Sequence, residues 1–394
     1  MSFRSEANAL QQQLVNWRRD LHMHPELGFQ EERTAGLVAR HLTDLGYRVY
    51  TGIAKTGVIA VLQGTRPGPT AMLRFDMDAL PIQEETTVAY ASQNPGVMHA
   101  CGHDAHVAIG LGTAVLLQRH RAEWPGSVKL VFQPAEEGMN GAAAMVDARA
   151  LDDYGPRPDV AFGLHVWNRS PLGQAGLTTG PMMAASDSWT LEVRGHGGHG
   201  AIPHQTVDPI VVAAQIIGAI QTIVSRNVDP QKTAVVTVGT IHGGTAFNII
   251  PDQVALTGTI RTFDAAEREK ILNRLEKLCQ GVAAAMGAEA KLKVEMLTPA
   301  VVNDQAATGL MRQVAQSVLG PENVFADFRT MGSEDMAYFL REVPGTYMFL
   351  GSANSERGLD YPHHNARFDI DEDVLSLGVA ILTETAVRFL NRAQ

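Results

Sequence analysis

The 394-residue sequence predicts an α/β protein: a mixed central sheet flanked by helices, interrupted by a smaller inserted domain of β-α-β-β-α-β order. Three observations predict it. The chain exceeds the roughly 250 to 300 residues at which a single hydrophobic core stops growing, so two domains are expected. Up to residue 182 strand-like and helix-like runs alternate, the rhythm of a mostly parallel or mixed sheet covered by helices. From 183 to 297 the order changes to that of a ferredoxin-like unit. The expected organisation is one discontinuous domain, 1–182 and 298–394, and one inserted domain, 183–297.

In the first part, strands are read at Gly57–Gln63, Thr70–Arg74, Ser127–Phe132 and Val160–His165, with helices over 104–119 and near 139–149. In the insert, Ser188–Arg194 reads as a strand and Val207–Arg226 as a helix. Thr233–Ile241 and Gln253–Thr262 follow as strands, Asp264–Met286 as a helix and Lys291–Met296 as a strand. A final helix runs from Asp371 to Arg392. The Val207–Arg226 helix is apolar on more than one face, through Ile210, Val211, Val212, Ile216, Ile217, Ile220, Ile223 and Val224. Such a helix is either packed deeply or turned towards a second copy of the chain.

Chemistry concentrates in Met98–His106, where one of only two cysteines stands among three histidines. Thiolate and imidazole are donors suited to zinc and its divalent neighbours. An extended backbone would project Cys101 and His103 to one side. Three further segments end apolar runs with donors. Val128–Gly138 ends in Glu136 and Glu137, Pro158–His165 in a histidine, and Pro362–Asn365 carries His363 and His364. Adjacent residues of an extended segment point to opposite sides, which divides the glutamates between the metal and the attacking water. Open α/β sheets place their sites at the carboxyl ends of strands, where His165 is expected.

Taken with Leu21–Gly28, Arg74–Pro81, His99–Asp104, Gln133–Gly138, Gly197–Ala201, Pro203–His204, Asn248–Asp252 and Gly332–Asp335, these segments resemble the M20 metallopeptidases. Within that group they resemble the amidohydrolase branch, with its N-acyl-amino-acid amidohydrolases, hippurate hydrolases, auxin-conjugate hydrolases and some carboxypeptidases. The resemblance runs in order from about residue 14 to the C-terminal helix. It implies a zinc-exopeptidase-like catalytic domain with an inserted lid and dimerisation domain.

Carried over residue by residue, the resemblance implies two divalent ions held by Cys101, His103, Glu137, His165 and His364, with the thiolate as the bridge. Zinc or manganese is expected, and cobalt or nickel would also suit the donors. His364 is preferred to His363 because the family's ligand stands four residues before an aromatic, here Phe368. Asp78, and with it Asp76, would orient ligating histidines from behind. Glu136 would be the general base and acid. His199, from the lid and across a dimer, would stabilise the oxyanion. Asn248, Arg261 and backbone donors of Gly332 and Ser333 would hold the substrate's carboxylate.

Composition narrows the alternatives. With a net charge of −10 and no basic run longer than Arg18–Arg19, neither nucleic acid nor an anionic membrane is an expected partner. Two cysteines make no disulfide framework, and Cys279 falls on an apolar helix stripe with Leu275, Leu278 and Val282. The amino terminus lacks the apolar core of a signal peptide. The most apolar run, Ile210–Ile220, is interrupted by Gln215 and falls short of the about 18 residues of a membrane span. A cytoplasmic enzyme is expected, a homodimer or higher homo-oligomer hydrolysing the amide of an N-acyl or N-aminoacyl amino acid. The alternatives are a carboxypeptidase for short peptides and a non-catalytic metal-binding scaffold of the same fold.

Overall fold

The computed structural model describes residues 2–392. They form two compact units: Met1–Met182 with Val301–Arg329 and Asp335–Gln394, and Met183–Ala300 with Thr330–Glu334. Thr330–Glu334 groups with the second unit because Thr330 bridges Met183 and the Ala184 N–H donates to the Gly332 carbonyl (3.0 Å).

The first unit is built on an eight-stranded mixed sheet. Its order is Arg48–Ile53, Gly57–Gln63, Ser127–Gln133, Thr70–Asp76, Val160–Pro171, Gly345–Ala353, Ala175–Gly176 and Val324–Phe325. The four central strands are mutually parallel, and the Gly57–Gln63 strand runs against them. Parallel strands need cover on both faces. Accordingly the Thr70–Asp76, Ser127–Gln133 and Gly345–Ala353 strands are buried at every residue. Helix His103–Arg119 is buried along most of its length, and Val374–Asn391 packs beside it. A Cβ on Gly110 would stand 2.8 Å from the Phe132 ring, so the missing side chain lets this helix lie flush on the sheet.

The second unit carries a four-stranded antiparallel sheet, ordered Ala234–Gly243, Gln253–Thr262, Ala185–Arg194, Glu289–Thr298. Helices Pro209–Thr222 and Ala265–Ala285 complete the βαββαβ order. They bury Val212, Ile216, Ile220, Leu275 and Cys279 with Trp189 and Leu191 of the sheet. Asp264 caps the second helix by accepting from the Glu267 N–H (3.0 Å), which the Asp-x-x-Glu spacing encodes. The first helix starts at Pro209, two residues later than expected, because proline suits the first helical position after the Asp208 cap. It ends in a π turn, Ile223–Asn227. Ile210, Val211, Ile241, Phe247 and Ile249 of this unit are exposed.

Several expectations need correction. Pro209–Asn227 and Val374–Asn391 are both long and apolar enough to cross a membrane by length and composition, although no apolar run had suggested it. The second is mostly buried in the first unit, and a core helix passes the same test. His165 does not end its strand, which continues to Pro171 through pairing with Gly345–Ala353. The sequence reading also leaves out helices Gln11–Met23, Glu32–Asp44 and Gln305–Leu319 and the buried strand Gly345–Ala353.

Candidate metal centre

Strand register sets the position of the centre. Asp76 pairs with Gln133 on the parallel neighbour, so the chain leaves both strands at one edge and delivers Asp78 and the Glu136–Glu137 pair there. One strand over, Arg74 pairs with Gly163, which places His165 at the same level. The backbone N–H of His364 donates to the Ala100 carbonyl (2.8 Å), pinning the late segment beside Cys101.

Two local conformations differ from the extended ones expected. Gly102 is left-handed (φ 86°) and His103 opens the helix, so a sharp turn, not strand alternation, brings the Cys101 thiol and the His103 ring together. Glu136–Met139 is a tight turn, non-helical at Glu137 and Gly138, entered through Ala135 in the left-handed region (φ 55°). Glu136 and Glu137 therefore do not point to opposite sides: both lie with His103 in one donor group.

Among the described residues five groups have ligand atoms within 4.8 Å of one another, and three of them unite the expected ligands: Cys101, His103 and His165; Cys101, Glu137 and His364; His103, Glu136 and Glu137. Cys101 Sγ is 3.5 Å from His165 Nε2, and His364 Nε2 is 3.2 Å from Glu137 Oε1. Tautomers follow from the partners. His103 Nδ1–H donates to the Asp78 carbonyl (2.9 Å) and reaches Asp78 Oδ1 (3.2 Å). Its buried Nε2 has no hydrogen-bond partner among the described residues and is the nitrogen a cation would take once it gives up its proton. His165 Nδ1–H donates to the Val166 carbonyl (2.6 Å), turning its Nε2 lone pair towards the thiol. Metal-ligating histidines are oriented in this way. Such a donor set fits divalent transition metals.

Two other nearby histidines bond elsewhere, although the buried Nδ1 of His363 has no hydrogen-bond partner among the described residues. His106 donates from Nδ1 to Asp76 and accepts the Val166 N–H at Nε2 (3.0 Å), which leaves it no free lone pair. His363 donates from Nε2 to the Val166 carbonyl (3.0 Å) and stacks on Trp167. Burial lowers its pKa to about 3, so it stays neutral. Asp76 thus serves His106 directly and stands 3.7 Å from His103 Nε2. Burial resists its ionisation, but Arg74, His103 and His106 outweigh that and hold its pKa well below the usual carboxylate range.

Electrostatics mark the cluster as short of positive charge. Burial, then Glu137 and Glu136, push the Cys101 thiol well up. Burial opposes protonation of His103, yet Asp76 and Asp78 outweigh it and raise its pKa to about 10. A divalent cation would satisfy the same field that draws in these protons.

Sequence reasoning passed over Arg74, a fully buried cation at the end of a strand. It joins Asp76 (2.7 Å), Gln133 (2.7 Å) and Asp335 (2.9 Å). A lone arginine inside an apolar run was its signal, since such a charge is buried only when paired.

The remaining expected residues belong to the second unit. His199 pairs with Ile249 across a two-residue ladder, and its Nδ1 accepts the Ala201 N–H (3.0 Å), so Nε2 carries the proton on an exposed ring. The Asn248 carbonyl accepts from the Gly200 N–H (2.8 Å). Arg261 donates to Ser333 Oγ (2.9 Å), is partly buried and has no carboxylate partner among the described residues. Burial lowers its pKa. The Gly332 N–H donates to Thr330 Oγ1 (3.2 Å).

Residues 72–388 match the model of peptidase family M20/M25/M40. N-acetyl-L-cysteine deacetylase of Bacillus subtilis is 40% identical over 384 residues, covering 98% of this chain and 90% of that protein. Thermostable carboxypeptidase 1 of Saccharolobus solfataricus is 38% identical over 393 residues, covering 99% and 98%. Among solved structures, the Bacillus subtilis YXEP protein, described as a dinuclear metal binding peptidase of the M20 family, has a TM-score of 0.85. It is 35% identical, with 98% of this chain and 99% of that one covered.

Proposed function

Because the chain belongs to peptidase family M20/M25/M40 and is a metal-dependent amide hydrolase, we propose that it cleaves the amide of N-acyl or N-aminoacyl amino acids and releases the free amino acid. The carrying observation is the buried donor cluster, in which His103 and His165 each have one ring nitrogen tied back and the other left for a ligand. Cys101, His103, Glu137, His165 and His364 are the proposed ligands of two divalent ions, zinc or manganese, with cobalt or nickel compatible. Cys101, His103 and Glu137 each belong to two of those three donor groups and would tie the two sets of ligands together. When bound, the ions supply Lewis-acid polarisation of the scissile carbonyl and lower the pKa of the attacking water.

The protein's own groups do the rest. Glu136, beside two proposed ligands, takes the water's proton and hands it to the leaving amine. His199 offers its Nε2–H to the developing oxyanion, a role its Nδ1 acceptor bond supports. Arg261, with Asn248 and Ser333, holds the carboxylate of the amino-acid portion. A partly buried guanidinium without an acidic partner supports that assignment. In this reading residues 1–182 and 298–394 are the catalytic domain, and 183–297 the lid and dimerisation domain. The exposed Ile210, Val211, Ile241, Phe247 and Ile249 favour a homodimer. The free thiols Cys101 and Cys279 suit the cytoplasm.

The carboxypeptidase relative favours a second reading, action on short peptides, which differs only in the acyl portion. Metal-reconstituted protein assayed on N-acetyl, N-benzoyl and dipeptide substrates decides between them. Turnover confined to dipeptides would remove N-acyl amino acids from the first reading and leave the second, and full activity after exhaustive chelation would refute both.

A further inference from the structure

The proposed mechanism leaves one part of the Leu21–Gly28 motif and its continuation unused. Segment Leu27–Glu31 lies against the turn that carries Glu136. A Cβ on Gly28 would stand 3.1 Å from Ala135 Cα and 2.8 Å from Met139 Sδ, so the two backbones touch. The turn itself is unfavourable on its own, with Ala135 (φ 55°) and Asn140 (φ 57°) both left-handed without being glycine. Such residues persist only where the surroundings over-determine them. Three carboxylates do so, each accepting one backbone N–H of the turn. Glu31 takes Ala135 (2.8 Å), Asp78 takes Glu137 (2.9 Å) and Asp335 takes Ala142 (2.8 Å). Glu31 is fully buried, and its second oxygen accepts from the Thr56 hydroxyl.

We propose that Glu31 is a positioning residue for Glu136: by holding the Ala135 N–H it fixes the left-handed residue next to the base and so sets the direction of the Glu136 carboxylate. The inference rests on the reading of Glu136 as base. Glu31 touches neither substrate nor metal ligand in this scheme, so removing it should misdirect the base and leave the donors in place. In Glu31→Ala the Ala135 N–H is left buried without an acceptor. In Glu31→Gln the amide oxygen can keep that bond, while the Thr56 hydroxyl turns to accept from the amide nitrogen.

The test compares full-length, metal-reconstituted wild type, Glu31→Ala, Glu31→Gln and Gly28→Ala, with Glu136→Gln as reference. Metal per chain, kcat and KM on an N-acyl amino acid, and hydrogen exchange of the 134–142 peptide are read against a peptide of the Gly345–Ala353 strand. Glu31→Ala is expected to lose kcat by roughly ten- to a hundredfold, with KM and metal content unchanged and exchange of the turn, not the strand, accelerated. Glu31→Gln should restore both. Should Glu31→Ala fold poorly, Gly28→Ala presses on the same turn from the same side and should give a milder loss of kcat alone. Unchanged exchange in Glu31→Ala, unchanged kcat despite faster exchange, or a loss that follows metal content would each overturn the proposal. A fully active Glu136→Gln would overturn the base assignment and this inference with it. Failure of Glu31 alone shows as unchanged turn exchange beside an inactive Glu136→Gln.

Discussion

Asp78→Asn separates a carboxylate that tunes the metal centre from one that merely fills space. Asp78 Oδ2 accepts the backbone N–H of Glu137 (2.9 Å) and Oδ1 faces His103 Nδ1 (3.2 Å). The same Nδ1–H also reaches the Asp78 carbonyl at 2.9 Å, so the His103 tautomer survives the substitution. An asparagine has one acceptor oxygen for two donors. It should turn that oxygen to the Glu137 N–H and leave its own NH2 opposite the His103 N–H. The loss is then one hydrogen bond to a charged group, worth about 1.5 to 3 kcal/mol. At about 1.4 kcal/mol per tenfold this predicts metal affinity weaker by roughly ten- to a hundred-and-fifty-fold, close to the range for partners behind metal ligands. Competition against a fluorescent chelator at fixed pH measures it, with the urea midpoint of the metal-free proteins as a control for folding. Unchanged affinity would refute the claim that Asp78 acts on the metal through His103 and Glu137. An equal fall in apo stability would show a packing defect in its place.

Three further outcomes are expected. Glu136→Gln should keep its metal while activity falls by roughly 10² to 10⁴, whereas Cys101→Ala should lose metal; equal metal loss in both would reverse the roles of the two glutamates. Arg261→Ala should lower kcat/KM on an N-acyl amino acid by roughly ten- to a hundred-and-fifty-fold, for a charge-assisted bond of about 1.5 to 3 kcal/mol. Amidating the substrate's carboxylate should then cost the variant little, and losses that simply multiply would free Arg261 of that role. Because the pKa values of Cys101 and His103 are both raised, the metal-free site holds protons at neutral pH that a cation must displace. Affinity should therefore weaken as pH falls, by up to about tenfold per unit for each proton displaced, and isothermal titration in buffers of different ionisation enthalpy would count the protons.

What the sequence determined by itself was local or periodic. Alternating apolar runs gave the strands, and the change of rhythm near 183 gave the βαββαβ unit. A cysteine among histidines announced donors, because thiolate and imidazole carry their chemistry wherever the backbone puts them. The backbone path was not legible. Cys101 and His103 meet through a left-handed Gly102, which glycine permits without dictating, and the Glu136–Glu137 pair sits on a turn entered at a left-handed Ala135, which packing imposes against local preference. Nor could the sequence divide the histidines. His103, His106 and His165 differ only in which carbonyl, carboxylate or amide meets each ring nitrogen: the partners of His103 and His106 come from strands and loops distant in the chain, whereas His165 bonds the carbonyl of the next residue, Val166. Glu31 was silent for the same reason, and Arg74 showed only as a charge inside an apolar run: a buried charge is explained by its partners, and only the tertiary structure brings the partners of these two together.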